Sequence, residues 1–341
     1  MKQRKYVWQW LSLVLVAVLI ILYFVRLPYF VQTPGEAKSM AGMIKVEGAQ
    51  KIHGKYSLVY IYLGQANVYQ YLWARFDGNK YTTLVKEDEI KMPNENDQGY
   101  NLRQKNYMTS AQQSASFVAY KAAGKHPRVN EEGVLVLDVM PSMPSAKVLK
   151  SGDLIIGVQN HRVATFNQLD SYVKQKKLGD SFDLTIIRKK KVQQVRVTIA
   201  QFPKNLAGSG KKEGIGIYQA DQMKVAVSPK VNFDIQNIGG PSAGLMMTLD
   251  IYDQLKSADL ANGRSIAGTG TIDMTGKVGP IGGIEEKIVG ASHSRVSIFF
   301  APVADHEYRT AKKTAKAIGS PMKVVPVKTF RDAVDYLQRT R

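Results

Sequence analysis

Polar residues nearly vanish near the start of the chain: residues 7–25 are apolar except for Gln9 and Ser12. A helix of that composition has the ~20 residues needed to cross a bilayer core. Beyond it the pattern is mixed. Residues 57–62 alternate like a strand, while residues 66–76 and 100–123 carry apolar side chains at helical spacing. A strand at 134–139, a Pro/Ser-rich loop and a short helix come next, then a strand ending at Val158 and a helix over 167–176. Strand-like stretches 182–187 and 192–199 flank the basic run Arg188-Lys189-Lys190-Lys191, which reads as a solvated hairpin tip. Leu245, Met246, Leu249 and Tyr252 mark a helix opening at Pro241, and Ile284, Ile288 and Ala291 mark another from Gly283. Interleaved short strands and helices predict the α/β (α+β) class. There are no internal repeats or low-complexity tracts.

Two of these predicted helix starts carry chemistry. Gly239-Gly240-Pro241-Ser242-Ala243-Gly244 places Pro241 at a first helical position, where its missing N–H loses nothing, and Ser242 in the first turn. Free backbone N–H groups there favour developing negative charge, so Gly240, Pro241 and Ala243 are candidates for the oxyanion and substrate-backbone site. A serine that only satisfies a backbone donor would look the same. In Gly282-Gly283-Ile284-Glu285-Glu286-Lys287 the lysine falls on the apolar face and the two glutamates point to water. A core-facing lysine either snorkels to solvent or sits neutral, as a base for a serine must.

Pro-Ser-Ala-Gly around Ser242, then Ala267-Gly268-Thr269-Gly270, then Gly276-Lys277-Val278-Gly279-Pro280-Ile281-Gly282-Gly283 leading to Lys287, resembles the proteolytic domain of Lon-type serine proteases. The resemblance runs from about Asn232 to the C-terminus. It implies that Ser242 is the acylated nucleophile, Lys287 the general base and Thr269 the residue that orients its amine. Gly239 stands where many Lon proteases carry an acidic residue. Lon enzymes unfold substrates with an attached ATPase, yet these 341 residues hold no phosphate-loop pattern; Ala123-Gly124-Lys125-His126 and Gly208-Ser209-Gly210-Lys211 both fail it. The expected substrate is therefore unfolded, short or an exposed loop.

Ser145-Ala146 followed by Lys150-Ser151-Gly152-Asp153-Leu154-Ile155-Ile156 resembles a bacterial PDZ domain, which adds an extended peptide to a sheet edge. The resemblance implies a peptide-binding loop at Glu131, Glu132, Gly133 and Val134, with a groove between the strand through Leu135 and the helix bearing Leu169 and Val173. A module that merely spaces the protease from a membrane is the competing reading. The whole order is similar to membrane-anchored PDZ–Lon proteases of Gram-positive bacteria. That predicts a cytoplasmic tail at 1–6, a transmembrane helix at 7–27, a linker at 28–43, a segment at 44–124 completing the Lon fold, a PDZ domain at 125–203 and the proteolytic domain at 204–341. Lon-type domains commonly form rings, so a homo-oligomer is among the implications.

Lys2, Arg4 and Lys5 before the apolar run place the N-terminus in the cytoplasm and the rest outside. No small-residue cleavage site follows, so an uncleaved anchor is expected. The net charge of +19 is scattered rather than clustered, and no nucleic-acid partner is predicted. There is no cysteine, and the five histidines form no metal-type pair, so neither metal nor cofactor is predicted. The expected activity is that of a membrane-anchored serine endopeptidase acting on secreted peptides or envelope proteins. A non-catalytic PDZ adaptor is the alternative.

Overall fold

The computed structural model describes residues 2–49, 52–203, 212–257 and 259–341, with side chains from Tyr6 onward. The side chains of Lys2, Arg4 and Lys5 and the segment Gly208-Ser209-Gly210-Lys211 lie outside these. The chain opens with helix Lys2–Phe24, of which Tyr6–Phe24 is long and apolar enough to cross a membrane and is wholly unburied by the rest of the protein.

Residues 28–43, expected as a linker, are instead mostly strand. Arg26–Ser39 pairs antiparallel with Lys55–Asn67 on one edge and with Thr83–Lys86 on the other. Its two prolines and Gly35 suggest a linker in the sequence, but Pro34 and Gly35 sit at an irregularity in the pairing. A Cβ on Gly35 would come within 2.3 Å of the Tyr60 carbonyl oxygen, so glycine alone permits this approach. The far edge of Lys55–Asn67 takes Ser265–Gly268 in parallel, over residues 55–58 only. Ile298–Pro302 and Lys323–Val327 then extend the sheet in parallel. This six-stranded sheet is therefore built from segments on both sides of the PDZ-like region.

Successive side chains of a strand face opposite ways, and this sheet uses both faces. Leu58, Ile266 and Phe300 pack beneath helices Asp97–Ala122, Gly244–Lys256 and Phe330–Arg339. Val59, Ala267 and Phe299 face helices Ile284–His293 and Glu307–Ala317. Gly290 lets the first of these lie close to the sheet, since a Cβ there would be 2.5 Å from the Gly35 carbonyl oxygen.

The second sheet runs in the order Ile217–Ala226, Arg128–Val139, Leu154–Val158, Ser181–Arg188, Lys191–Thr198. Helix Phe166–Val173 closes its core, which is filled by Val136, Ile155, Leu169, Phe182 and Ile186. The strand 217–226 belongs to this sheet, so the proteolytic unit does not begin at 204 as expected. The hairpin at Lys189 and Lys190 forms with positive φ at both. Arg188 is not a solvated tip residue, however: it forks onto the buried Asp153 at 2.6 and 2.7 Å.

Candidate active site

Ser242 lies in a turn between the short strand Val231–Phe233 and helix Gly244–Lys256, two residues before that helix begins. Pro241 is thus not a first helical residue, as expected, but the start of a turn whose carbonyl accepts from the Gly244 N–H at 3.2 Å. The turn is strapped to the neighbouring segment. The Ser242 carbonyl accepts from the Gly270 N–H at 2.8 Å and from the Thr269 hydroxyl at 3.2 Å, and the Leu245 N–H donates to the Gly270 carbonyl at 3.1 Å. Gly244 lacks the Cβ that would strike Ile272 at 2.7 Å.

Lys287 reaches this turn from the helix Ile284–His293. Its Nζ is 2.8 Å from Ser242 Oγ and 3.0 Å from Thr269 Oγ1. Lys287 is 3 % exposed and Thr269 fully buried. No carboxylate forms an ion pair with the amine among the described residues. Burial draws its pKa down to about 8, against a weaker opposing pull from Glu307 and then Glu286. The hydroxyl logic is directional. Thr269 spends its proton on the Ser242 carbonyl, so its oxygen accepts from an Nζ–H, which leaves the neutral amine's lone pair for the Ser242 hydroxyl. Thr269 therefore stands where the orienting residue was expected.

Glu286, expected in water, is 4 % exposed and accepts from the Thr83 hydroxyl at 3.1 Å. The helix face that looked outward is covered by the strand Thr83–Lys86, which periodicity within the helix cannot reveal. Glu307 was not singled out from the sequence. It is buried, which raises its pKa, and one carboxylate oxygen accepts from the Ile281 N–H at 2.7 Å.

Of the expected oxyanion residues, Gly240 has its N–H committed to the Gln104 carbonyl at 3.0 Å, and Pro241 has none to offer. Ala243 and Ser242 itself keep backbone N–H groups with no acceptor among the described residues. Gly239 has no room for a side chain, since its Cβ would meet that of Gln104 at 2.9 Å. A groove of about 1200 Å³ opens over the site, lined by Leu58 to Leu63, Gln104, Gln236 to Ala243 and Lys287. Beyond residue 58 the strand Lys55–Asn67 has no partner strand on this side among the described residues.

The second sheet revises the expected peptide groove. Glu132, Gly133, Val134 and Leu135 are not in a loop. They lie in the strand Arg128–Val139, with Val134 opposite Asp221 on one side and Ile155 on the other. An interior strand with both edges paired cannot add a peptide. The edge without a further strand among the described residues belongs to Ile217–Ala226, which follows Gly214-Ile215-Gly216 and runs beside helix Phe166–Val173, its Val225 N–H already donating to the Gln113 side chain at 2.6 Å. Gly216 takes φ +70°, Ile215 is buried, and the Ile215 carbonyl accepts from the Ser145 hydroxyl. Leu169, expected to line the groove, is instead buried in the core of this unit, and Val173 is half-buried against that core. The signal, Gly-Ile-Gly-Ile, lies about eighty residues beyond Val134, where local reading does not look.

Residues 229–338 match the Lon protease (S16) C-terminal proteolytic domain, and residues 122–199 match the PDZ domain family. The Lon protease of Campylobacter jejuni is 33% identical over 129 residues, covering 33% of this chain and 15% of that protein. Lon protease 2 of Bacillus subtilis is 33% identical over 98 residues, covering 29% of this chain and 16% of that protein. The chain thus spans about a sixth of these relatives' length. A solved PDZ domain of an SdrC-like protein from Listeria monocytogenes is 27% identical, with 27% of this chain and 92% of that one covered at a TM-score of 0.24.

Proposed function

We propose that this chain, a PDZ-containing Lon-like serine peptidase by its domains, works as a membrane-anchored, ATP-independent endopeptidase with Ser242 as nucleophile and Lys287 as base. The observation that carries this is the 2.8 Å contact between Ser242 Oγ and a buried amine that has no ion-pair partner among the described residues. An extended substrate lies along the edge of residues 59–63 and presents its carbonyl to Ser242. Lys287 takes the hydroxyl proton as Oγ bonds to the carbonyl carbon, and the Ser242 and Ala243 N–H groups hold the oxyanion. The C–N bond then breaks, the ammonium returns its proton to the leaving amine, and an acyl-serine remains. Water, deprotonated by Lys287, releases the acyl group.

The helix at the N-terminus serves as a single-pass anchor, with the basic tail in the cytoplasm and both folded units outside. The groove between the strand Ile217–Ala226 and helix Phe166–Val173 recruits a peptide end or an exposed loop of an envelope protein or secreted peptide. The test is intact-mass detection of an acyl adduct on full-length protein given an unstructured peptide. The adduct should map to Ser242 and vanish in Ser242→Ala. An adduct that persists in that variant would refute the assignment.

A further inference from the structure

The helix Val68–Phe76 puts its apolar stripe on the wrong side for a soluble protein. Tyr69, Leu72, Trp73 and Phe76 follow i, i+3, i+4, i+7 spacing, the signature of a buried face, yet they are 38%, 46%, 50% and 79% exposed. No residue of this helix is fully buried. Its other side, Val68, Tyr71 and Ala74, already rests half-buried on the body, with Tyr71 stacked against Tyr29 at 5.1 Å. The stripe is therefore a second apolar face that nothing among the described residues covers.

Its position identifies what does. Asn67, the cap of this helix, pairs with Arg26, two residues past the end of the apolar helix Lys2–Phe24. The cap is firm, because Asn67 and Gln70 exchange side-chain and backbone hydrogen bonds at 2.8 and 3.0 Å. The first residue of the stripe, Tyr69, donates its hydroxyl to the Leu19 carbonyl at 2.7 Å. Leu19 lies five residues before Phe24, about 7 Å below the helix end. The stripe thus begins on the membrane helix itself, at the depth of the headgroup boundary. Tyr and Trp with flanking Arg75 are residue types that settle there.

We infer that Val68–Phe76 is an interfacial helix that docks its Tyr69, Leu72, Trp73 and Phe76 face into the outer boundary of the bilayer. The inference rests on the membrane-anchor reading above. Because the anchor already holds the helix at the surface, docking is intramolecular and a nine-residue helix suffices. The same helix caps the strand whose residues 58–63 line the catalytic groove. At about 3.3 Å per residue the groove begins roughly 13 Å along that strand from Asn67. Docking therefore sets the tilt and height of the active site and turns it toward segments that lie close to the membrane.

The three tryptophans make the test direct, since only Trp73 lies outside the anchor helix. Full-length protein is reconstituted in phosphatidylcholine–phosphatidylglycerol vesicles with or without lipids brominated near the headgroup end of the acyl chain. In Trp8→Phe/Trp10→Phe, emission from Trp73 should be quenched by the brominated lipid. Adding the exposed changes Leu72→Ser and Phe76→Ser should abolish that quenching without altering thermal unfolding. A companion variant keeping only Trp10 reports the anchor. Quenching of Trp10 without quenching of Trp73 would overturn docking and leave the anchor intact. Quenching of neither would remove both. Trp73 emission that ignores bromine but shifts with the protein-to-lipid ratio would overturn docking in favour of contact between copies.

Discussion

Two cations, one in each folded unit, the first partly and the second almost wholly buried, are held in opposite ways. In the PDZ unit Arg188 forks onto Asp153, which is 1 % exposed, and also donates to the Val148 carbonyl. In the proteolytic unit Lys287 meets only two hydroxyls, while Glu286 and Glu307 act on it from beyond ion-pair reach. A bidentate partner fixes a charge and makes it a fastener. Hydroxyls accept either protonation state, so burial is free to draw the amine down to about 8. The first arrangement ties the loop before one strand to the end of another; the second leaves the amine able to exchange a proton.

The largest effect that would sharpen this contrast comes from Lys287→Arg. A guanidinium stays protonated in a protein, so peptide turnover should fall by roughly a thousandfold or more while the fold persists. Assay of purified variant on an unstructured peptide checks this, and activity near wild type would erase the distinction. Next is Asp153→Ala, which strands a partly buried guanidinium. Denaturant unfolding should report a loss of about 3 kcal/mol, with cleavage of a short peptide in native conditions unchanged.

Thr269→Val keeps shape but deletes the acceptor that aims the amine. It should lower kcat by roughly ten- to a hundredfold, with KM little changed. Because the ammonium loses a hydrogen-bond acceptor, the ascending limb of its pH profile should also move to lower pH.

The smallest effect is in the stability of Lys287→Met. The folded pKa of about 8 lies below the unfolded value of ~10.4, so between them the unfolded state binds more protons. Wild-type stability therefore rises with pH through that window. The methionine variant should be more stable at pH 7, by about 3 kcal/mol at most, with the gap closing as pH approaches 10.4. Unfolding midpoints across pH measure it, and a gap that widened with pH would contradict the sign.

What could be read from the sequence followed the range of the interactions. The lysine could be read as core-facing because Ile284, Ile288 and Ala291 fix a helix face, and Lys287 falls on it. The same local rule misplaced Glu286, whose cover comes from the strand Thr83–Lys86, some two hundred residues away. Pro241 resembled a helix start, but the pull of Gly270 on the Ser242 carbonyl holds it in a turn outside the helix. The PDZ groove was misassigned for the same reason: Val134 reads as part of a binding loop until Asp221 is found paired beside it. The strand Arg26–Ser39 was hidden by prolines at positions its partner's register accommodates.

The central claim is that Lys287 is a neutral base held beside Ser242 by burial. The measurement that tests it most directly is the pH dependence of kcat/KM for a short peptide, which reports the free enzyme's titrating groups. The account predicts an ascending limb with a midpoint near the amine's value of about 8. A profile flat across that region, or a limb at lysine's ordinary ~10.4, would contradict it.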